Sequence, residues 1–402
     1  MNFTRSLLFC CGLLSGHLAH AQSGCTDPQA TNYNPSAVTN DGSCIYPVTH
    51  KTPLLRGVLN PIITESSGLE WTDGKLWTHN DSGNPPDIFS IDTTDGHTLQ
   101  RIVIDNYPNV DWEDITADSN YIYIGDHGNN HGSRTDLKVL KVAKSDITSD
   151  TVVHVNAQAI SFSYADQTNF TPSSTNNFDC EALVSISDSL YIFTKDRGDG
   201  QTRVYQMPKT PGTYSLAPYT GYNVDGLITG ADYNATTNEI VLIGYFSGHI
   251  KSFLWYLSDF QGHMFFSGNK RRIEIGGGAE WQTEGVAFLS NNRIFISCET
   301  TDSIPASLYL SDNIFANTTQ VSMNPELKCT IYPNPANATL YINGLMQQAT
   351  YRILNVSGQR MQAGSLDAGN NIISTKDLVP ANYFIELSGI DGNTGTMKFE
   401  KQ

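Results

Sequence analysis

The chain is poor in positive charge, in long apolar runs, in helical periodicity and in the short signatures of common catalytic centres. Its 24 Lys and Arg stand against 40 Asp and Glu, a formal net charge of -16 over 402 residues. A surface this acidic repels phosphate backbones and anionic lipid and attracts cations, so nucleic acid is not an expected partner. No stretch supplies the roughly 20 continuous apolar residues of a membrane-spanning helix, so no transmembrane segment is expected. The run from Leu7 to Leu14 is broken by Gly12 and followed by Ser15, Gly16 and His17. With Arg5 before it and Ala19-His20-Ala21 after it, residues 1–21 read as a secretory signal peptide. Its removal takes one base and no acid, leaving 23 bases against 40 acids, a net charge of -17.

Gly-x-Ser-x-Gly, His-Glu-x-x-His and Walker-type glycine loops are absent, which removes the sequence grounds for a hydrolase elbow, a helix-borne zinc site and a phosphate loop. Cysteine is scarce as well. Of seven, Cys10 and Cys11 fall in the signal segment. Cys25 and Cys44 bracket a short loop and are expected to pair in an oxidising compartment. Cys180 and Cys298 lie in strand patterns and are expected to be buried thiols, with a bond between them as the alternative, and Cys329 is left over. None has the Cys-x-x-Cys spacing of a zinc or redox site.

Short β patterns are what the sequence has in quantity. Between Lys51 and Pro325 five stretches share one outline, starting at Ser66-Ser67-Gly68-Leu69, Trp112-Glu113-Asp114-Ile115, Cys180-Glu181-Ala182-Leu183, Thr229-Gly230-Ala231-Asp232 and Thr283-Glu284-Gly285-Val286. Each runs through a polar turn into a second apolar strand, such as Leu190 to Thr194 or Ile240 to Ile243, and then into a third. A repeat of about fifty residues holding four strands is the pattern of a β-propeller blade. Fourth strands are available at Leu99 to Ile104, Val152 to Phe162, Tyr214 to Tyr222 and Arg271 to Ile275, and the unit that lacks one can take Leu54 to Leu59 from before the first. The expected fold is all-β, a five- or six-bladed propeller with its ring closed by the N-terminal strand, and a two-sheet sandwich as the rival.

In such a ring the start of each first strand and the loop between the second and third strands face one central funnel. The first position brings Glu113, Glu181 and Glu284, with Ser67 and Thr229 in the other two blades. The loop position brings His79-Asn80-Asp81, Asp126-His127, Lys195-Asp196 and Cys298-Glu299. Carboxylates crowded into one cavity repel unless a cation or a shared proton relieves them, so Glu113, Glu181, Glu284, Asp81, Asp126 and Asp196 are candidate ligands for calcium. The competing reading is that these carboxylates bond backbone N–H groups and hold blades together. Glu113, Asp126 and His127 are the candidates for a base acting on water. The Glu284-Gly285-Val286-Ala287 pattern resembles propellers of the lactonase and esterase-like phytase kinds, and the resemblance implies a metal polarising an ester, lactone or phosphate oxygen.

The C-terminal region carries Ile331-Tyr332-Pro333-Asn334-Pro335, Thr339-Leu340-Tyr341-Ile342, Tyr351-Arg352-Ile353-Leu354-Asn355-Val356-Ser357-Gly358-Gln359 and Tyr383-Phe384-Ile385-Glu386-Leu387, with a basic finish at Lys398 to Lys401. It resembles the C-terminal sorting domain of the type IX secretion system. That resemblance implies a small immunoglobulin-like sandwich of about seven strands, recognition by the export machinery, and display on or release from the cell surface. Asn382 stands where that family usually has Gly, and Asn tolerates a left-handed turn there. The segment Gly24 to Tyr46 resembles a short Cys-flanked module of secreted proteins from the Gram-negative bacteria that use this secretion system. Its Asp27, Asn32, Asn34, Asn40 and Asp41 are either calcium ligands or turn formers. The expected organisation is a signal peptide at 1–21, the Cys-flanked module at 22–47, the propeller at 48–314, a linker at 315–328 and the sorting domain at 329–402. The expected function is an exported propeller holding a divalent cation and binding or hydrolysing a small extracellular ligand. The alternative is a non-catalytic binding or scaffold propeller for a small-molecule, glycan or protein ligand.

Overall fold

A computed structural model of the chain describes residues 22–47, 49–246, 251–276, 281–315, 329–345, 348–355, 359–389 and 394–402. Residues 1–21, read above as a signal peptide, residues 316–328 of the expected linker, and Val356-Ser357-Gly358 lie outside them. Two compact units result, Met1–Asn317 and Thr318–Gln402. Among the described residues no helix is long and apolar enough to cross a membrane.

Besides the small pair Ser23–Gly24 and Thr39–Asn40, the described residues of the first unit form five sheets, whose first strands are Ser66–Thr72, Trp112–Ala117, Cys180–Ile186, Leu227–Asn234 and Thr283–Ser290. Each of these packs beside the first strand of the next sheet, and the fifth beside the first, so five blades surround one axis. Turn chemistry starts each blade. In the first, Thr72-Asp73-Gly74-Lys75 reverses the chain with Asp73 at φ 52° and Gly74 at φ 73°, the left-handed pair that a tight two-residue hairpin requires. Inner strands are covered on both faces by neighbouring blades, so Ile240 to Tyr245 is buried without interruption. Outer strands such as Asn269–Ile275 alternate between buried and half-buried residues.

The fifth blade takes its outer strand from the N-terminal side. Ser307–Asp312 pairs antiparallel with Leu54–Val58, matching Ser307 to Val58 and Leu308 to Gly57. A side chain on Gly57 would overlap the carbonyl oxygen of Asp95 in the first blade, so this glycine lets the two ends of the ring approach.

Two expected fourth strands are each split in two. Val152–Val155 adds in parallel to the outer edge of the first blade, whereas Gln158–Tyr164 is the fourth strand of the second. The break is held by Asn106, whose side chain accepts from the Ala157 N–H and donates to its carbonyl, both at 2.9 Å. Gly212–Leu216 likewise covers the edge of the second blade, and Pro218–Asn223 completes the third. Thr49–Lys51 covers the fourth. An outermost strand exposes unpaired backbone donors and acceptors, and these short additions satisfy them.

Cys25 and Cys44 form a disulfide. The candidate ligand residues around it make turns: Asp27 accepts from the Gln29 N–H and Tyr46 hydroxyl, Asn34 from Ser36, Asn40 from Gly42, Asp41 from Ser43, and Asn32 ties to Ser43 and Ile45. Asn40 and the Gly42 carbonyl dock the segment on the fourth blade through Asp259, Asn269 and Lys270.

The second unit pairs a three-stranded sheet (Thr330–Tyr332, Thr339–Leu345, Gly369–Ser374) with a four-stranded one (Arg360–Leu366, Ala349–Asn355, Ala381–Gly389, Thr394–Lys401). Leu340, Ile342, Ile353, Tyr383, Ile385, Leu387 and Phe399 form its core. Asn382 lies inside a strand opposite Glu400 and makes no left-handed turn, so the expected role for it is not needed.

Candidate functional site

Aligning the five first strands puts Ser67, Glu113, Glu181, Thr229 and Glu284 in one slot at the strand starts. The two hydroxyls stitch blades: Ser67 donates to the Glu113 carbonyl and Thr229 to the Thr283 carbonyl, each at 2.7 Å. The three glutamates are at most 3% exposed. Glu181 is paired, since Lys195 donates to it at 2.9 Å. Among the described residues Glu113 Oε1 and Glu284 Oε2 are buried with no hydrogen-bond partner.

Two acidic trios meet at Glu113. Asp81, Asp111 and Glu113 each offer an oxygen within 4.8 Å of the others, and so do Glu113, Asp179 and Glu181. Their surroundings differ. The second trio contains Lys195 on Glu181 and Arg197 on Asp179, two built-in cations. Near the first, Arg134 comes only to 4.0 Å of Asp111. Asp81 accepts from the Ser82 N–H. Gly128 lies against the first trio, and a Cβ there would fall on Glu113 Oε1 and within 2.6 Å of the Asp111 carboxyl. Its glycine therefore keeps open the space between two of the three carboxylates.

Of the other sequence-derived candidates, Asp126 is held by Arg134 at 2.9 Å and Lys138 at 3.1 Å, and Asp196 by Arg203. Neither belongs to either trio. His79 and His127 are fully buried, with Nδ1 bonded to the Asn80 and Cys180 carbonyls at 3.0 Å. Burial lowers them to about 4 and about 3, so both are neutral near pH 7. The five tryptophans pack into the blades; Trp112 lies edge-on to His79 and Trp281 against Tyr309.

Burial followed by neighbouring negative charge dominates the electrostatics. Asp81 is pushed to about 7 by burial and then, against the Ser82 hydrogen bond, by Glu181, Asp111 and Glu65; Asp111 reaches about 6 by burial and the Glu181 charge. Glu113 is raised well above the ordinary carboxylate range by burial and the charges of Glu181, Asp81 and Asp111. Burial takes Glu284 to about 8 despite Lys195, and burial with the Glu284 charge takes Glu299 to about 10. Burial opposes the charge on Lys195, but Glu181 beside it prevails and keeps its proton. Deeper in the ring, Asp114 accepts from the N–H groups of Ile115, Leu183 and Ala231 on three blades, and Asp232 from Tyr233 and Phe288. Those two carboxylates tie blades together.

Asp111 and Asp179 were not among the sequence candidates. The signal for them is one step earlier in the repeat, where Asp111-Trp112-Glu113 and Asp179-Cys180-Glu181 share acid-x-Glu spacing with Glu65 and Gln282 at equivalent positions.

Residues 330–399 match the family described as Secretion system C-terminal sorting domain. A 23-residue stretch is 74% identical to ribulose bisphosphate carboxylase/oxygenase activase 1, chloroplastic, of Larrea tridentata, spanning 6% of this chain and 5% of that protein. Among solved structures, the chain is similar to the exo-beta-1,3-galactanase 1,3Gal43A of Clostridium thermocellum, at 10% identity and TM-score 0.44 over 88% of this chain and 86% of that one. It is also similar to the PQQ-bound aldose sugar dehydrogenase of Streptomyces coelicolor, at 12% identity and TM-score 0.38 over 65% and 99%. For PorZ, a type-IX secretion surface component of Porphyromonas gingivalis, the values are 12% and 0.32 over 90% and 48%. None of these likenesses assigns a ligand or reaction to this chain.

Proposed function

Since residues 330–399 are a type IX secretion system C-terminal sorting domain, which directs the chain to the cell surface or beyond, we propose that the five-bladed unit acts there by holding calcium, or a like divalent cation, at Asp81, Asp111 and Glu113. The observation that carries this reading is the Glu113 carboxylate, buried, short of a partner at Oε1, and sharing a space under 5 Å wide with two further carboxylates. Three acids at that spacing repel, and a hard cation with oxygen ligands at roughly 2.3–2.6 Å relieves them. The neighbouring trio has Lys195 and Arg197 for the same purpose.

The cation would keep positions for a ligand oxygen, and its chemistry there is to polarise a carbonyl, ester or phosphoryl group. Glu284 and Glu299, both held protonated near pH 7 by burial, are proton donors in the funnel. Asp126, engaged by two bases, and His127, bonded to Cys180 and enclosed, are poorly placed to serve as bases, so that role falls to the funnel carboxylates. A small extracellular ligand is thus bound, or bound and hydrolysed. The second reading, a binding propeller without chemistry, draws support from Asp114 and Asp232, whose carboxylates are spent on backbone N–H groups.

Calorimetric titration of the mature chain with calcium tests the proposal. Binding that is lost in Glu113→Gln and Asp111→Asn, followed by turnover of a lactone, ester or phosphate panel, supports metal-assisted hydrolysis. Binding without turnover supports the second reading, and no binding with an unchanged melting temperature overturns the cation site.

A further inference from the structure

We infer that Lys195 limits the funnel to one divalent cation, its ammonium being a tethered ion that fills a second cation centre at Glu113, Asp179 and Glu181. That role rests on the calcium reading above and sets the number of ions the funnel holds. One slot of the repeat relates the two centres. Where the chain leaves the second strand of a blade, one residue donates its N–H to the carbonyl two places before the first-strand slot: Asp81 to Glu65 at 2.9 Å, Gly128 to Asp111 at 3.1 Å, Lys195 to Asp179 at 2.8 Å and Glu299 to Gln282 at 3.0 Å. The shared bond brings the side chain at this position to the acids beside it. A Cβ on Gly128 would fall on Glu113, and Lys195 reaches Glu181.

What the slot carries decides how each pair of acids is neutralised. Asp111 and Glu113 face Gly128, which has no side chain, so the space between them stays open to an ion from solution. Asp179 and Glu181 repeat the same acids at the same spacing but face Lys195, whose Nζ lies 2.9 Å from Glu181 with the side chain only 4% accessible. That Nζ is also 5.1 Å from the centre of the Tyr245 ring on the fourth blade, so an acid and an aromatic ring both hold the ammonium. Arg197 contributes less to Glu181: it is shared between Asp179 and Asn130 and comes only to 3.9 Å of the Glu181 carboxylate. Glu113 belongs to both trios, so two calcium ions would sit close together. A compact ammonium brings one charge where calcium brings two, which halves the repulsion between the neighbouring centres.

Calcium titrations of the mature chain and its variants, read by calorimetry with circular dichroism as the check on folding, count the ions. Lys195→Gly should bind one calcium more than the unsubstituted chain, and adding Glu181→Gln should remove that extra ion. Lys195→Arg keeps a tethered charge and should gain none. In chelator, Gly128→Lys should melt several degrees above Gly128→Met, because only the lysine brings a positive charge to Asp111 and Glu113. That comparison is decisive where Lys195→Gly does not fold. The role of Lys195 is overturned if Lys195→Gly folds and binds no more calcium than the unsubstituted chain, or if Gly128→Lys melts no higher than Gly128→Met. A chain that binds no calcium until Lys195 is replaced, and then binds one ion through Glu181, would remove the first centre and leave the second standing.

Discussion

At the scale of the residue, the sharpest statement concerns Gly128. Because a Cβ there would fall on the Glu113 and Asp111 carboxylates, Gly128→Ala should weaken calcium at least about tenfold while the chain still folds; calorimetry and circular dichroism together read both parts, and undiminished affinity would place the cation elsewhere. Proton linkage gives a second test. Glu284 has an ordinary value of 4.5 and is held at about 8 by burial, and Glu299 at about 10. Above pH 4.5 the folded chain keeps protons that the unfolded chain has released, so stability falls as pH rises toward 8 and beyond. In chelator, the melting temperature should therefore drop by several degrees between pH 5 and 8.5, and Glu284→Gln should flatten that drop. Glu113, Glu181 and Glu284 were legible because a repeated slot held an acid three times. Asp126 and Asp196 occupy a repeated slot too, but Lys138 and Arg203 on the following strands, with Arg134, claim them, and periodicity does not tell an acid facing a cavity from one facing a base.

At the scale of the element, the closing strand and the split fourth strands matter most. Gly57→Ala would drive a methyl group into the Asp95 carbonyl, and overpacking of that kind costs about 1–3 kcal/mol. Urea unfolding should show the lower midpoint, and an unchanged midpoint would mean that the first and fifth blades meet loosely. Asn106→Ala leaves the Ala157 N–H and carbonyl without their partner and should cost about 1–3 kcal/mol, read the same way. Strand existence, order and the borrowed N-terminal strand followed from β-branched and aromatic runs between turn residues. The division of Val152 to Phe162 did not, because each half reads as a good strand and the partner of each edge is decided by Asn106 and by which blade has a free edge.

At the scale of the whole molecule, export and function separate along the chain. A chain lacking residues 329–402 should stay in the periplasm, which fractionation would show, and surface display of that truncated chain would refute the sorting role of the tail. The sequence by itself determined destination and class: ordered motifs mark the sorting domain, the fifty-residue β repeat dictates the ring, and excess acid favours cations. Only the tertiary structure decided which acids share a space. Strand periodicity says which face a side chain takes, whereas the distance between Asp81, Asp111 and Glu113, and the arrival of Lys195 and Arg197 beside their neighbours, depend on how blades distant in sequence are rotated together.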